Sequence, residues 1–119
     1  MAKVMINCTH GKDDPERATL AFVVGNVAAS ADQEAVVLLT IDGVWNATRG
    51  YADGIHKDGF QPLSDVMKSF VDNGGQIWAC GACAKPRGIT DAQMVEGAKI
   101  VTAANVVEYL ASGAANIDF

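Results

Sequence analysis

Positive charge is scarce in this chain, where nine Lys and Arg stand against fourteen Asp and Glu for a net charge of −5. That field repels a phosphate backbone unless a local basic patch overrides it, so direct nucleic-acid binding is disfavoured. Long hydrophobic runs are missing too. No segment approaches the roughly 18 to 20 apolar residues needed to cross a bilayer. Met1-Ala2-Lys3-Val4 leads straight into a strand-like run, without the basic start, apolar stretch and cleavage site of a secretory signal. These absences lead us to expect a cytoplasmic protein with no membrane span. Cysteine is equally sparse. Three in 119 residues is too few, and an odd number, for a disulfide framework, which leaves chemistry or burial as their use.

Half of the residues are hydrophobic and 19% are charged, a globular balance well away from that of disordered chains. The length suits one domain, residues 1–119, with a core of its own. Lys3 to Cys8 is apolar with little alternation, as in a strand buried on both faces of a parallel sheet. Asp14, Pro15 and Glu16 then form a helix-start signature, and the helix should run to about Ser30. Apolar residues recur at helical spacing three times: Leu20, Val23, Val24, Val27 and Ala28; Leu63, Val66, Met67, Phe70 and Val71; Ala103, Val106, Val107, Leu110 and Ala111. Between them lie strand-like runs at Ala35 to Ile41, Gln76 to Ala79, Lys99 to Thr102 and Ala115 to Phe119. Gly74 and Gly113 are placed as C-cap glycines, and Thr90 with Gln93 reads as a capping box opening one more short helix.

Alternating strands and helices predict an α/β fold, a three-layer α/β/α sandwich around a mostly parallel sheet of about five strands. Ligands and reactive groups in such sheets gather at the carboxyl ends of the strands. Cys8-Thr9-His10, Asp42 to Thr48, and Cys80 to Cys83 all fall there. The stretch from Asp42 to Gln61 is the longest without periodicity, and its Trp45, Tyr51, His56 and Phe60 either pack the loop down or add a recognition surface.

Cys80 follows a strand and opens toward Gly81-Ala82-Cys83-Ala84-Lys85-Pro86-Arg87-Gly88. A helix start at Cys80, with Lys85 and Arg87 close behind, favours thiolate and hence a nucleophilic sulfur. Cys8, inside the first strand, reads as a buried and inert thiol. The Cys80/Cys83 pair resembles a thioredoxin-type CxxC, but the topology does not, since no proline lies beyond Pro86. Cys83 is either a resolving thiol or a packed bystander. A zinc site needs about four ligands and the pair supplies two, so no metal is expected. His10 either lines the strand-end pocket as a polar or proton-transfer group or is a plain surface histidine. Gly11-Lys12 lacks the rest of a phosphate-binding loop.

Three segments together resemble the DsrE/DsrF-like sulfur-relay family: Thr9 to Ala18, the turn Asp42-Gly43-Val44-Trp45-Asn46-Ala47, and Ile77 to Ile89 with its cysteine, Arg-Gly and aliphatic residue. The likeness spans essentially the whole chain. It implies a persulfide carried on Cys80 and passed to an acceptor thiol, with Gly81, Lys85, Arg87, His10 and Asn46 around the sulfur and no cofactor. Sulfur donor and acceptor proteins are the implied partners, and assembly as a homo-oligomer, trimer or hexamer, is implied as well. Cys83 lies outside the minimal family pattern. A dithiol redox protein using Cys80 and Cys83, and a non-catalytic oligomeric module binding a small ligand near His10, Asn46 and Cys80, are the alternatives.

Overall fold

In the computed structural model, which describes residues 2–119, the run Lys3–Cys8 forms β1. Asp14 caps the helix α1 (Pro15–Ser30) by accepting from the Arg17 amide at 3.0 Å, and Pro15 occupies the first turn, where its missing N–H costs nothing. The chain continues through β2 (Glu34–Leu39), α2 (Leu63–Asp72), β3 (Gln76–Cys80), the single-turn helix α3 (Gly81–Ala84), β4 (Ala98–Val101), α4 (Ala103–Ala111) and β5 (Ala115–Asp118). The strands lie in the order β4-β3-β2-β1-β5 and every pairing is parallel. The fold is α/β, as the alternation of elements predicts.

Right-handed crossovers fix which face each connection takes. From β1 to β4 the chain steps across the sheet in one direction, so α1 and α2 cover one face. The return from β4 to β5 runs the other way and puts α4 on the opposite face. The cores match this division. Ile6, Val37, Leu39, Ile77 and Ala79 pack with Phe22 and Phe70 on the first face, while Met5, Val36, Leu38, Trp78 and Val101 pack with Tyr109 on the second.

Two helices turn differently from what the apolar spacing predicts. In α1 the buried face is Ala18, Ala21, Phe22, Gly25 and Ala29, and Val27 is 66% exposed. Small residues win that position because α1 is pressed against both the sheet and α2. A Cβ on Gly25 would stand 3.0 Å from Val37 and 3.1 Å from Phe70, so the valines are left to the flanks. In α4 only Tyr109 is buried and Val106 partly so, whereas Val107 and Leu110 face outward. Tyr109 sets this rotation: its ring meets Trp78 edge-on at 5.3 Å and its hydroxyl donates to the Glu34 carbonyl at 3.3 Å.

The stretch after β2 is also more ordered than its lack of periodicity suggests. It contains two 3-10 segments, Ile41–Ala47 and Ala52–Gly54, and buries Val44, Asn46, Ala47, Ala52 and Ile55. Trp45 and Tyr51 stack at 6.1 Å, and His56 Nε2 lies 2.8 Å from the Phe60 carbonyl. Thr90 and Gln93 do form a capping box, but over a 3-10 turn of three residues.

The rotated face of α1 is testable by chemical denaturation. Phe22→Ala should lower the unfolding free energy by about 3–5 kcal/mol, whereas Val27→Ser should change it by less than about 0.5 kcal/mol. A larger loss at Val27 than at Phe22 would mean that the helix is turned as its valine spacing predicts.

Candidate functional site

Adjacent strands whose connections leave to opposite faces open a crevice at their carboxyl ends. Here those strands are β3 and β4, and Cys80 is the last residue of β3, paired in register with Val101. Strand alternation gives Cys80 the same face as Trp78, the α4 side of the sheet. It is half-buried. Gly81 follows with its α-carbon close over β4, where a Cβ would stand 3.0 Å from the Val101 carbonyl. The helix opening there is a single turn, so the dipole expected at Cys80 is far smaller than that of a full helix.

Cys83 belongs to a second cluster. Its sulfur accepts a hydrogen bond from the Ile41 amide at 3.2 Å. Ile41 has φ +54, a left-handed conformation that is a genuine outlier for a β-branched residue. Next to it, Asp42 Oδ1 accepts from Arg87 Nε at 3.2 Å and Nη2 at 2.9 Å, while Arg87 Nη1 donates to the Cys83 carbonyl at 3.1 Å. Arg87 thus ties the 41–47 turn to α3, and its charge is matched by Asp42. Lys85 is exposed, and its ammonium has no hydrogen bond or ion pair recorded among the described residues.

A third cluster lies at the end of β1. Cys8 is fully buried, donates its S–H to the His10 carbonyl at 3.2 Å, and has its pKa pushed up to about 11, chiefly by burial. Asn46, also fully buried, donates from Nδ2 to the same carbonyl at 2.9 Å. Its Oδ1 has no hydrogen-bond partner among the described residues and rests against Gly11, 3.2 Å from where a Cβ would be. The Gly43 backbone is packed on the Cys8 carbonyl, leaving no room for a Cβ. The His10 ring turns away to Asp13, with Nδ1 2.8 Å from Oδ2. That hydrogen bond, with another from the Gly11 amide, holds the Asp13 carboxyl below its ordinary range.

His10 and Asn46 are therefore joined to each other and to Cys8 on the α1 side, and Cys83 is joined to Arg87, while Cys80 stands on the α4 side. A cavity of about 370 Å³ lies between α4 and the sheet with Lys3, Lys99, Trp78, Val101 and Tyr109 in its walls. Among the described residues no three His, Cys, Asp or Glu side chains converge as metal ligands. The roles of two residues in the Cys83 cluster are not legible in the sequence. Asp42 carries a weak signal, an acid at a strand end in a chain whose basic turn needs a partner. Ile41 carries none, because nothing in isoleucine announces a positive φ.

The DsrE/DsrF-like family model matches residues 2–119. This chain belongs to the DsrE/DsrF-like family. It is 29% identical over 106 residues to an uncharacterized protein of Methanocaldococcus jannaschii, covering 89% of this chain but 38% of that one. An uncharacterized protein of Methanopyrus kandleri is 25% identical over 95 residues, covering 80% of this chain and 75% of the relative. Among solved structures, the E. coli ychN protein superposes with a TM-score of 0.77 at 18% identity. A protein of unknown function from Methanobacterium thermoautotrophicum does so with 0.76 at 20%, both pairs over the full length of each chain. These two likenesses concern the DsrE-like fold.

Two expected outcomes follow from the Cys8 cluster of this family member. The folded protein keeps Cys8 protonated up to about pH 11, while the unfolded thiol ionises near 9.0. Stability from the neutral thiol is therefore complete below pH 9 and lost as pH rises toward 11, on the order of 2 kcal/mol in all. Denaturation across that range should show the loss in the native protein and a smaller slope in Cys8→Ala; equal slopes would overturn it. Gly11→Ala, whose new methyl would stand 2.6 Å from the Tyr51 hydroxyl, should cost about 1–3 kcal/mol, read by the same measurement.

Proposed function

We propose that this chain is a persulfide carrier working in a sulfur relay, with Cys80 as the sulfur-bearing residue. The observation that carries the reading is the position of Cys80, half-buried at the carboxyl end of β3 beside the β3/β4 crevice. Cys8, by contrast, is sealed and held protonated. Family membership supports the same chemistry.

In the loading step the Cys80 thiolate attacks the outer sulfur of a donor persulfide. A new bond forms from Sγ to that sulfur, the donor S–S bond breaks, and its electron pair leaves with the donor thiolate. Delivery repeats the exchange: an acceptor thiolate takes the outer sulfur and Cys80 departs as thiolate. No cofactor enters. Gly81 and the exposed Lys85 lie close to Cys80 in sequence, and Arg87 contributes by holding the α3 turn. The partners are a donor and an acceptor protein in a cytoplasmic setting. A homo-oligomeric state, trimer or hexamer, has support in the apolar groups left outside: Val107 at 64% exposure, Ile117 at 44% and Leu110 at 36%.

The reading is tested by incubating the protein with a persulfide-loaded sulfurtransferase and weighing it intact. One sulfur atom should be added to the native chain and to Cys8→Ala, and none to Cys80→Ser. Sulfur on Cys80→Ser, or none on both the native chain and Cys83→Ser with several donors and no Cys80–Cys83 disulfide formed, sinks the carrier. Retention of cellular function by Cys80→Ser would favour a ligand-binding module instead.

A further inference from the structure

We propose that Cys83 discharges the carrier: when no acceptor claims the sulfur, Cys83 attacks the Cys80 persulfide, releases hydrosulfide and leaves a Cys80–Cys83 disulfide. The inference rests on the carrier reading of Cys80 and adds a reaction that the carrier alone does not have.

Two observations carry it. The first is placement. Cys80 ends β3 and Cys83 stands three residues on within the single turn of α3. Cys80 is the extended residue that caps this turn and Cys83 is its third residue, positions whose side chains approach across a helix start; closing a disulfide requires Cβ atoms about 3.8 Å apart. The thiols are both free and both half-buried. Joining them requires α3 to turn Cys83 away from Ile41 and from the first-face core against which it packs. The second observation comes from another element, the turn after β2. It aims the Ile41 amide at Cys83 Sγ over 3.2 Å, from a backbone conformation that isoleucine adopts only under constraint. The constraint is visible in the Arg87 clamp, which holds Asp42 and the Cys83 carbonyl together. An N–H donor on sulfur binds more strongly as that sulfur takes on negative charge. Cys83 thus has an amide donor already in place on its sulfur, whereas no hydrogen bond to the Cys80 sulfur is recorded among the described residues.

The step balances without an outside oxidant. The Cys83 thiolate attacks Sγ of Cys80, and a new Sγ–Sγ bond forms. The bond from Cys80 Sγ to the outer sulfur breaks, and its electron pair leaves with that sulfur as HS⁻. The outer sulfur is reduced and Cys83 is oxidised. A dithiol reductant then returns both cysteines to thiols, which makes the next loading depend on the reducing power around the protein.

The test loads native protein, Cys83→Ser and Cys83→Ala with sodium polysulfide, desalts them, and follows intact mass and free hydrosulfide with no acceptor present. The native chain should lose its added sulfur together with two hydrogens, release hydrosulfide in equal amount and yield a Cys80–Cys83 cross-linked peptide. Both variants should hold the persulfide about tenfold longer or more. Asp42→Asn, which loosens the clamp, should load and then discharge more slowly than the native chain. Native protein that keeps its persulfide as long as the variants, or loses sulfur without the cross-link, overturns the discharge and leaves the carrier standing. If the native chain and both Cys83 variants all fail to take up sulfur, the carrier reading falls and the discharge with it.

Discussion

The right-handedness of parallel crossovers is the constraint on which this molecule depends. With all five strands parallel, every carboxyl end lies on one edge. The direction of the chain across the sheet reverses only on leaving β4, so a crevice between β3 and β4 follows from handedness alone. The residue that ends β3 is a cysteine. Its place beside that crevice is in this sense a consequence of topology first and of neighbouring groups second.

The same constraint distributes stability unevenly. Three successive connections pile α1, the turn after β2 with α2, and α3 on one face, where a large core forms around Phe22, Phe70 and Ile77. One connection supplies the other face, and its core is small, centred on the edge-to-face pair of Trp78 and Tyr109. Removing water from apolar surface is the main favourable term in folding, so the helix on the thin side, α4, is held by fewer groups and keeps Val107 and Leu110 outside. That imbalance leaves three of the exposed large apolar side chains, Val107, Leu110 and Ile117, on α4 and on the edge strand β5.

Much of this was legible in the residues. The strand-helix alternation, the cap at Asp14 and the glycines at helix ends are local signals, and local signals survive into the fold because each is satisfied by its own neighbours in sequence. The faces of α1 and α4 were not legible from apolar spacing. Valine and alanine are both apolar, so periodicity ranks them by hydrophobicity, whereas packing ranked them by size: Gly25 and Ala21 were needed where α1 meets the sheet. The clusters around the thiols were hidden for a different reason. Arg87 and Asp42 are 45 residues apart, and the hydrogen bond from Ile41 to Cys83 spans 42. Proximity in space at that separation is set by the sheet register, which a single sequence does not print.

Register also explains how one residue type serves opposite purposes within the same edge. Cys8 ends β1 and Cys80 ends β3, so both sit at carboxyl ends of parallel strands. Side chains alternate with a period of two, and parity separates them: Cys8 shares the face of Ile6, and Cys80 that of Trp78. The face of Ile6 is roofed at that edge by the turn after β2, whose Gly43 backbone and Asn46 amide close over Cys8 and its neighbouring carbonyls. Cys80 lies on the other face, which that turn does not roof, and is half-buried. A slip of one residue in either strand would exchange their faces, sealing the open thiol or opening the sealed one. The hydrophobic pattern that fixes the register, with Ile77 and Ala79 on one side and Trp78 on the other, therefore also fixes which cysteine is sealed and which is left half-buried.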